Sequence, residues 1–189
     1  MPDSSRREFI RASLALAVLG LAPVRVLARE LIWLKRVELK PREDAYLLGG
    51  GYEIRLTAPL EDALQRGVPL TFVQHFEAER PRSYWFPEYI TSLDRTLRLY
   101  YNALLRQYRL QVGTRVQVFE QIEPALEALG ELSDWHVLER HQLSRGQSYR
   151  VRVRMVLDTS QLPKPLQVNA ITSSRWDLDS GWREWTVRP

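Results

Sequence analysis

Between Arg80 and Gly113, arginines and aromatic rings interleave more densely than anywhere else in the chain. Arg80, Arg82, Arg95, Arg98, Arg106 and Arg109 mix with Tyr84, Trp85, Phe86, Tyr89, Tyr100, Tyr101 and Tyr108. Such a mixture suits recognition. A guanidinium binds a carboxylate or phosphate through two parallel hydrogen bonds, and a ring adds rigid contact area. The residues expected to form a recognition surface are Arg80, Arg82, Trp85, Arg106, Tyr108 and Arg109, with Lys164 further along.

Catalysis finds less to work with. Nucleophilic chemistry needs a nucleophile, a base and a group that orients the base. Ser83, Ser92, Ser144 and Ser160 stand in no elbow-type glycine context, and His75, His136 and His141 are scattered. His136 and His141, five positions apart, would project to opposite faces of a strand, and His75 has no second ligand at a usable spacing. Two carboxylate pairs are available, Glu77 with Glu79 and Glu61 with Asp62. The first shares a strand face, and the second falls in a helix first turn, where the dipole already favours acids. Glycan cleavage needs two carboxyls facing each other across a cleft, an arrangement that a sequence does not show. Gly49-Gly50-Gly51 is not followed by the lysine and hydroxyl residue of a phosphate-cradling loop. No catalytic residue, metal site or cofactor is therefore expected. The chain also lacks cysteine, which excludes disulfides, thiolate zinc sites and iron–sulfur ligation.

The elements that must carry the arginines read mostly as strands. Leu70 to Glu79 alternates, with Leu70, Phe72, Gln74, Phe76 and Ala78 on one face. Tyr149 to Asp158 alternates better still, its apolar face backed by Arg150, Arg152 and Arg154, a row expected to be offset by glutamates on a neighbour. Strands are also expected from about Leu34, over Ala45–Leu56, over Thr114–Phe119 and over Trp135–Leu143. The three glycines inside Ala45–Leu56 mark a bulge, a tight hairpin or a close backbone approach. Residues 97–112 satisfy helix spacing and strand alternation about equally; strand-forming side chains and Asn102 favour a hairpin broken at Asn102-Ala103, with Arg106 aligned with Tyr108 and Arg109 on the opposite face. Two short helices are expected, Thr57–Gly67 with Thr57 as N-cap, and Gln121–Gly130. Pro163 and Pro165 predict an extended edge or crossing loop around Lys164, and Trp176 to Val187 predicts a last hairpin. The fold class is mainly β: an antiparallel β-sandwich, Ig-like or similar, with two short helices.

Ser5-Arg6-Arg7-Glu8-Phe9-Ile10-Arg11 matches the twin-arginine export pattern, followed by a short apolar run and Val26-Leu27-Ala28 as a cleavage site. Residues 1–28 are expected to be a signal peptide and 29–189 a single domain in the periplasm, attached to the membrane only through the N-terminal segment if that is uncleaved. Pro23 and Arg25 keep the apolar run below the ~20 residues of a spanning helix. Without Arg6, Arg7, Arg11, Arg25, Asp3 and Glu8 the net charge falls from +4 to +2. A balance so near neutral gives no reason to expect nucleic acid as partner.

Four segments together resemble a bacterial exported family catalogued as domain of unknown function 4390. They are Leu157-Asp158-Thr159-Ser160-Gln161-Leu162-Pro163-Lys164-Pro165 running to Ala170; Leu60-Glu61-Asp62-Ala63-Leu64 through Leu70; Arg80-Pro81-Arg82 with Tyr84-Trp85; and Leu99-Tyr100-Tyr101-Asn102-Ala103-Leu104 through Arg109. The likeness spans nearly all of the region after the signal and departs at Ser83, where an aromatic would continue the surface. It implies no catalytic residue, cofactor or substrate. Because genes of that family are associated with a neighbouring membrane sensor histidine kinase, it implies a possible partner. The function expected is an exported, non-catalytic binding domain for an envelope protein, such as a membrane sensor kinase, or for an anionic ligand. The alternative is an envelope hydrolase acting on a glycan or other anionic substrate.

Overall fold

The computed structural model describes residues 31–84, 86–133 and 135–189. The segment with Arg6 and Arg7 lies outside the described residues, as does Trp85. In chain order the elements are β1 (Ile32–Pro41), β2 (Ala45–Ile54), α1 (Ala58–Gln65), β3 (Leu70–Arg80), β4 (Glu88–Asn102), β5 (Gln107–Val112) and β6 (Arg115–Phe119). There follow α2 (Ile122–Gly130), β7 (Trp135–Glu139), β8 (Tyr149–Leu157), α3 (Lys164–Thr172) and β9 (Arg183–Val187). The strands make two antiparallel sheets, a small one in the order β1-β2-β7 and a large one in the order β6-β5-β4-β3-β8-β9. Three and six strands replace the four and three of an immunoglobulin constant domain.

Alternation sets which face is buried. Leu70, Phe72, Gln74, Phe76 and Ala78 of β3 are all buried, as are Tyr149, Val151, Val153, Met155 and Leu157 of β8. Gln74 pairs with Met155 and Phe76 with Val153, so the two stripes form one apolar surface. Ile32, Leu48 and Tyr52 of the small sheet, Leu60 and Leu64 of α1, and Ala125 and Leu129 of α2 belong to the same core. Each fully buried large apolar side chain contributes about 1.5–3 kcal/mol, which makes this core the main source of stability in a chain without disulfides.

Two glycines allow close backbone approaches here, Gly50 of β2 against β1 and Gly130 of α2 against β2. Gly50 has φ +122, and a Cβ there would stand 2.0 Å from the Arg36 carbonyl oxygen; at Gly130 a Cβ would stand 2.2 Å from the Tyr52 carbonyl oxygen. The triple glycine is thus a close backbone approach, beside an irregularity in β1 between Leu34 and Arg36. Leu132 N–H donates to Gly50 O across the gap (3.1 Å).

The hairpin over residues 97–112 forms as expected, with Tyr101 opposite Tyr108. The Asn102 Oδ1 accepts from the amides of Leu104 (3.1 Å) and Leu105 (3.0 Å). Arg106 closes the turn with φ 52 and belongs to no strand, so the expected alignment of Arg106 with Tyr108 does not occur. Tyr108 takes the inner face and Arg109 the outer one.

Three other expectations are corrected. Around Lys164 the chain is helical: Pro163 is the N-cap of α3 and Pro165 lies in its first turn, where a missing N–H breaks no helical bond. There are therefore three α-helices. Thr57 stands at the N-cap of α1 but does not cap it, because its hydroxyl donates to Arg175 O (2.7 Å). The C-terminal segment forms no hairpin. Ser180 Oγ accepts from Met155 N (2.9 Å), and β9 runs along β8 as an edge strand, so the segment is tied to β8 instead of to itself.

Candidate functional site

The expected recognition residues are spread over both ends and both faces of the large sheet. Arg80 and Arg82 lie together at the β3–β4 connection, and both guanidiniums hold Glu88 (Arg82 Nη2–Oε2 2.7 Å). The Arg82 and Arg80 hydrogen bonds keep the Glu88 carboxyl below the usual carboxylate range. Arg106 is exposed in the β4–β5 turn, at the far end of β4. Tyr108 stacks at a tilt on Tyr101, centroids 4.8 Å apart, and burial raises its phenol pKa. Arg109 faces outward beside Tyr100 and Val118, and its buried Nε meets no hydrogen-bond partner among the described residues. Lys164 is exposed at the start of α3.

The clamp at Glu88 has a consequence for its neighbours. It fixes the base of a loop whose rings point into solvent: Tyr84 is 94% exposed, Phe86 90% and Tyr89 60%. Large rings are rarely displayed so fully without a contact to make.

The β8 arginines are occupied. Arg150 pairs with Glu79 (2.8 Å), Arg152 with Glu77 (Nε–Oε2 2.6 Å), and Arg154 with both oxygens of Asp179 (Nε–Oδ1 2.9 Å). Arg152 also lies over the Trp182 ring at 4.7 Å, and His75, bonded to Asp94 at 2.6 Å, packs against the same ring. The Arg154 hydrogen bond holds Asp179 below the usual aspartate range. Glu77 and Glu79 are thus engaged by cations. No histidine among the described residues bonds to a serine, and no three His, Cys, Asp or Glu side chains gather where they could hold a metal ion.

Arg95 behaves differently. It faces the core opposite Gln74, donating through Nε (2.9 Å) and Nη2 (2.6 Å) to the Gln74 Oε1, to Glu131 O (2.7 Å) and to Ser133 O (3.3 Å). Its guanidinium covers the Trp135 ring at 4.8 Å. Gln74, fully buried, passes the network on to Leu129 O (3.4 Å). These acceptors are neutral carbonyls near the negative end of α2, which a cation favours. Burial pulls the Arg95 pKa down to about 10, still well above neutrality, so the side chain stays charged. It lines a cavity of about 270 Å³ with Arg115, Gln117 and Ser133 under α2. The cavity adjoins a wider groove of about 680 Å³ along Lys35, Arg36, Lys40 and Phe119.

Sequence reasoning named neither Arg95 nor Arg115 as a site residue. One signal was there: Gln74 interrupts an otherwise apolar stripe, and a fully buried amide must find a partner.

In comparisons with known proteins, a family model described as Domain of unknown function (DUF4390) matches residues 30–186. No curated protein and no solved structure matches the chain.

Proposed function

The chain belongs to the DUF4390 family, and from that premise we propose that it is an exported, non-catalytic interaction domain that grips a protein of the cell envelope. The observation that carries this reading is the β3–β4 loop, where Tyr84 and Phe86 stand almost wholly in solvent above a base clamped by Arg80 and Arg82 on Glu88. Interface energy concentrates in a few aromatic and arginine anchors, and a loop already held in place loses less entropy on binding. Arg80 and Arg82 act here as braces for the rings, and Glu88 offsets one of their two charges.

The sensor region of a membrane histidine kinase from the same envelope is the first partner to test. Purified full-length chain and purified sensor region are titrated by calorimetry, with the Tyr84→Ala/Phe86→Ala double variant beside the wild type and Arg150→Ala as a surface control. The reading expects the double variant to weaken binding at least tenfold and the control to leave it unchanged. Equal affinity for all three proteins, or no binding to any envelope protein, sinks it.

A further inference from the structure

The large sheet ends at β6, and among the described residues no strand pairs with its far side. Edge strands are normally blunted by charge, proline or bulges. β1 is blunted in all three ways, by Lys35, Arg36, Glu38 and Lys40, by Pro41, and by the irregularity at Leu34. β6 is not: Arg115 is its one charged residue, and Val116 and Val118 are each 49% exposed.

Hairpin geometry identifies the open backbone groups. The two-residue turn Gly113-Thr114, with Gly113 at φ 58, joins Val112 to Arg115. In such a turn the closing pair is hydrogen-bonded, and alternation along an antiparallel ladder then turns the N–H and C=O of Val116 and Val118 away from β5. Toward the core, Arg115 and Gln117 line the 270 Å³ cavity with Arg95 behind them, and Glu131, the one carboxylate of the lining, leaves its two arginines an excess of positive charge. That volume equals roughly nine waters, room for one acidic side chain with its solvent. Arg115 makes no ion pair among the described residues.

We propose that β6 takes up an extended segment of a partner protein as an added strand, in which acidic residues alternate with apolar ones. One acidic side chain enters the cavity toward Arg115 and the Gln117 amide. The apolar ones cover Val116 and Val118 on the other face. Strand addition of this kind draws affinity from main-chain bonds and specificity from alternate side chains. A second copy of this chain fits poorly, because the core-facing side chains of β6 are Arg115, Gln117 and Phe119, which offer Arg115 no counter-charge. The inference stands apart from the aromatic loop and survives or falls separately.

The test selects ten-residue peptides from a random library on the full chain, then measures the selected peptides by fluorescence anisotropy. Acidic and apolar residues are expected to alternate. Val118→Pro removes an outward N–H without touching the β5 ladder and is expected to weaken binding at least tenfold. Arg115→Glu does the same for acidic peptides and is rescued when lysine replaces their glutamates, which keeps the test open should the proline variant unfold. Tyr84→Ala/Phe86→Ala leaves peptide affinity unchanged. The proposal is overturned if no peptide is selected, if selected peptides lack the alternation or bind Val118→Pro as well as wild type, or if β6 instead mediates a dimer of the chain that Val118→Pro dissolves.

Discussion

Two sets of arginines sit within one sheet and differ in nearly every physical respect. Arg150, Arg152 and Arg154 of β8 face outward, each against a carboxylate, and Trp182 packs over the latter two. Arg95 of β4 faces inward against carbonyl oxygens, with no carboxylate in bonding range among the described residues. In sequence all four are arginines on alternating strands. The difference teaches that a count of cations says little about free charge: the evenly spaced row is neutralised, and the isolated residue keeps its charge inside the protein.

The comparison breaks first at Arg95. Arg95→Ala leaves the fully buried Gln74 carbonyl and the Glu131 and Ser133 carbonyls after the C-terminal end of α2 without their donor, at a cost of about 3 kcal/mol, read as a lower urea midpoint. Arg95→Met combined with Gln74→Leu removes both partners and is expected to recover more than half of that loss, since a well-packed apolar pair replaces a buried polar one at little cost. A double variant no better than the single one would show that the network matters for something other than polar satisfaction. On the outer face, Arg152→Ala is expected to cost only about 0.5–1 kcal/mol, and less in high salt. Should it match Arg95→Ala, the contrast between the two sets disappears.

The Asp179 carboxyl sharpens the outer half of the comparison. Its pKa is depressed in the folded chain, so its contribution is complete above the ordinary aspartate value of about 3.9 and is lost as pH falls through the lower folded value. Asp179→Asn is expected to flatten the acid limb of the stability–pH curve by about 0.5 kcal/mol, leaving stability above pH 5 little changed beyond the lost pair itself. An effect as small, and of opposite sign, belongs to an arginine of neither set. Arg106 sits at φ 52 without a partner among the described residues. Arg106→Gly relieves about 1–2 kcal/mol of left-handed strain and gives back about half through unfolded-chain entropy, for a net gain near 0.5 kcal/mol in thermal unfolding.

How much was legible follows the same division. β3 and β8 were readable residue by residue, because a strand with one buried face writes its burial into every second position. That glutamates on a neighbouring strand would offset the β8 arginines was readable too, since opposite charges on one face meet, but not that Glu79 and Glu77 of β3 supply them for Arg150 and Arg152, or that Asp179 serves Arg154. α3 was missed because proline was weighed as a breaker of strands and not as a starter of helices. The C-terminal hairpin was mistaken because Ser180 bonds to a residue 25 positions away, beyond any local pattern. The Arg95 cavity depends on α2 descending onto the sheet, and no spacing within β4 records that.

β4 itself carries one more consequence. Its 15 residues extend about 50 Å, with the Tyr84–Phe86 loop at one end and exposed Leu104 and Leu105 at the other. Physiological salt screens charge over about 8 Å. The strand is therefore a strut: contacts made at its two ends are electrostatically deaf to each other, and one can influence the other only by moving the strut.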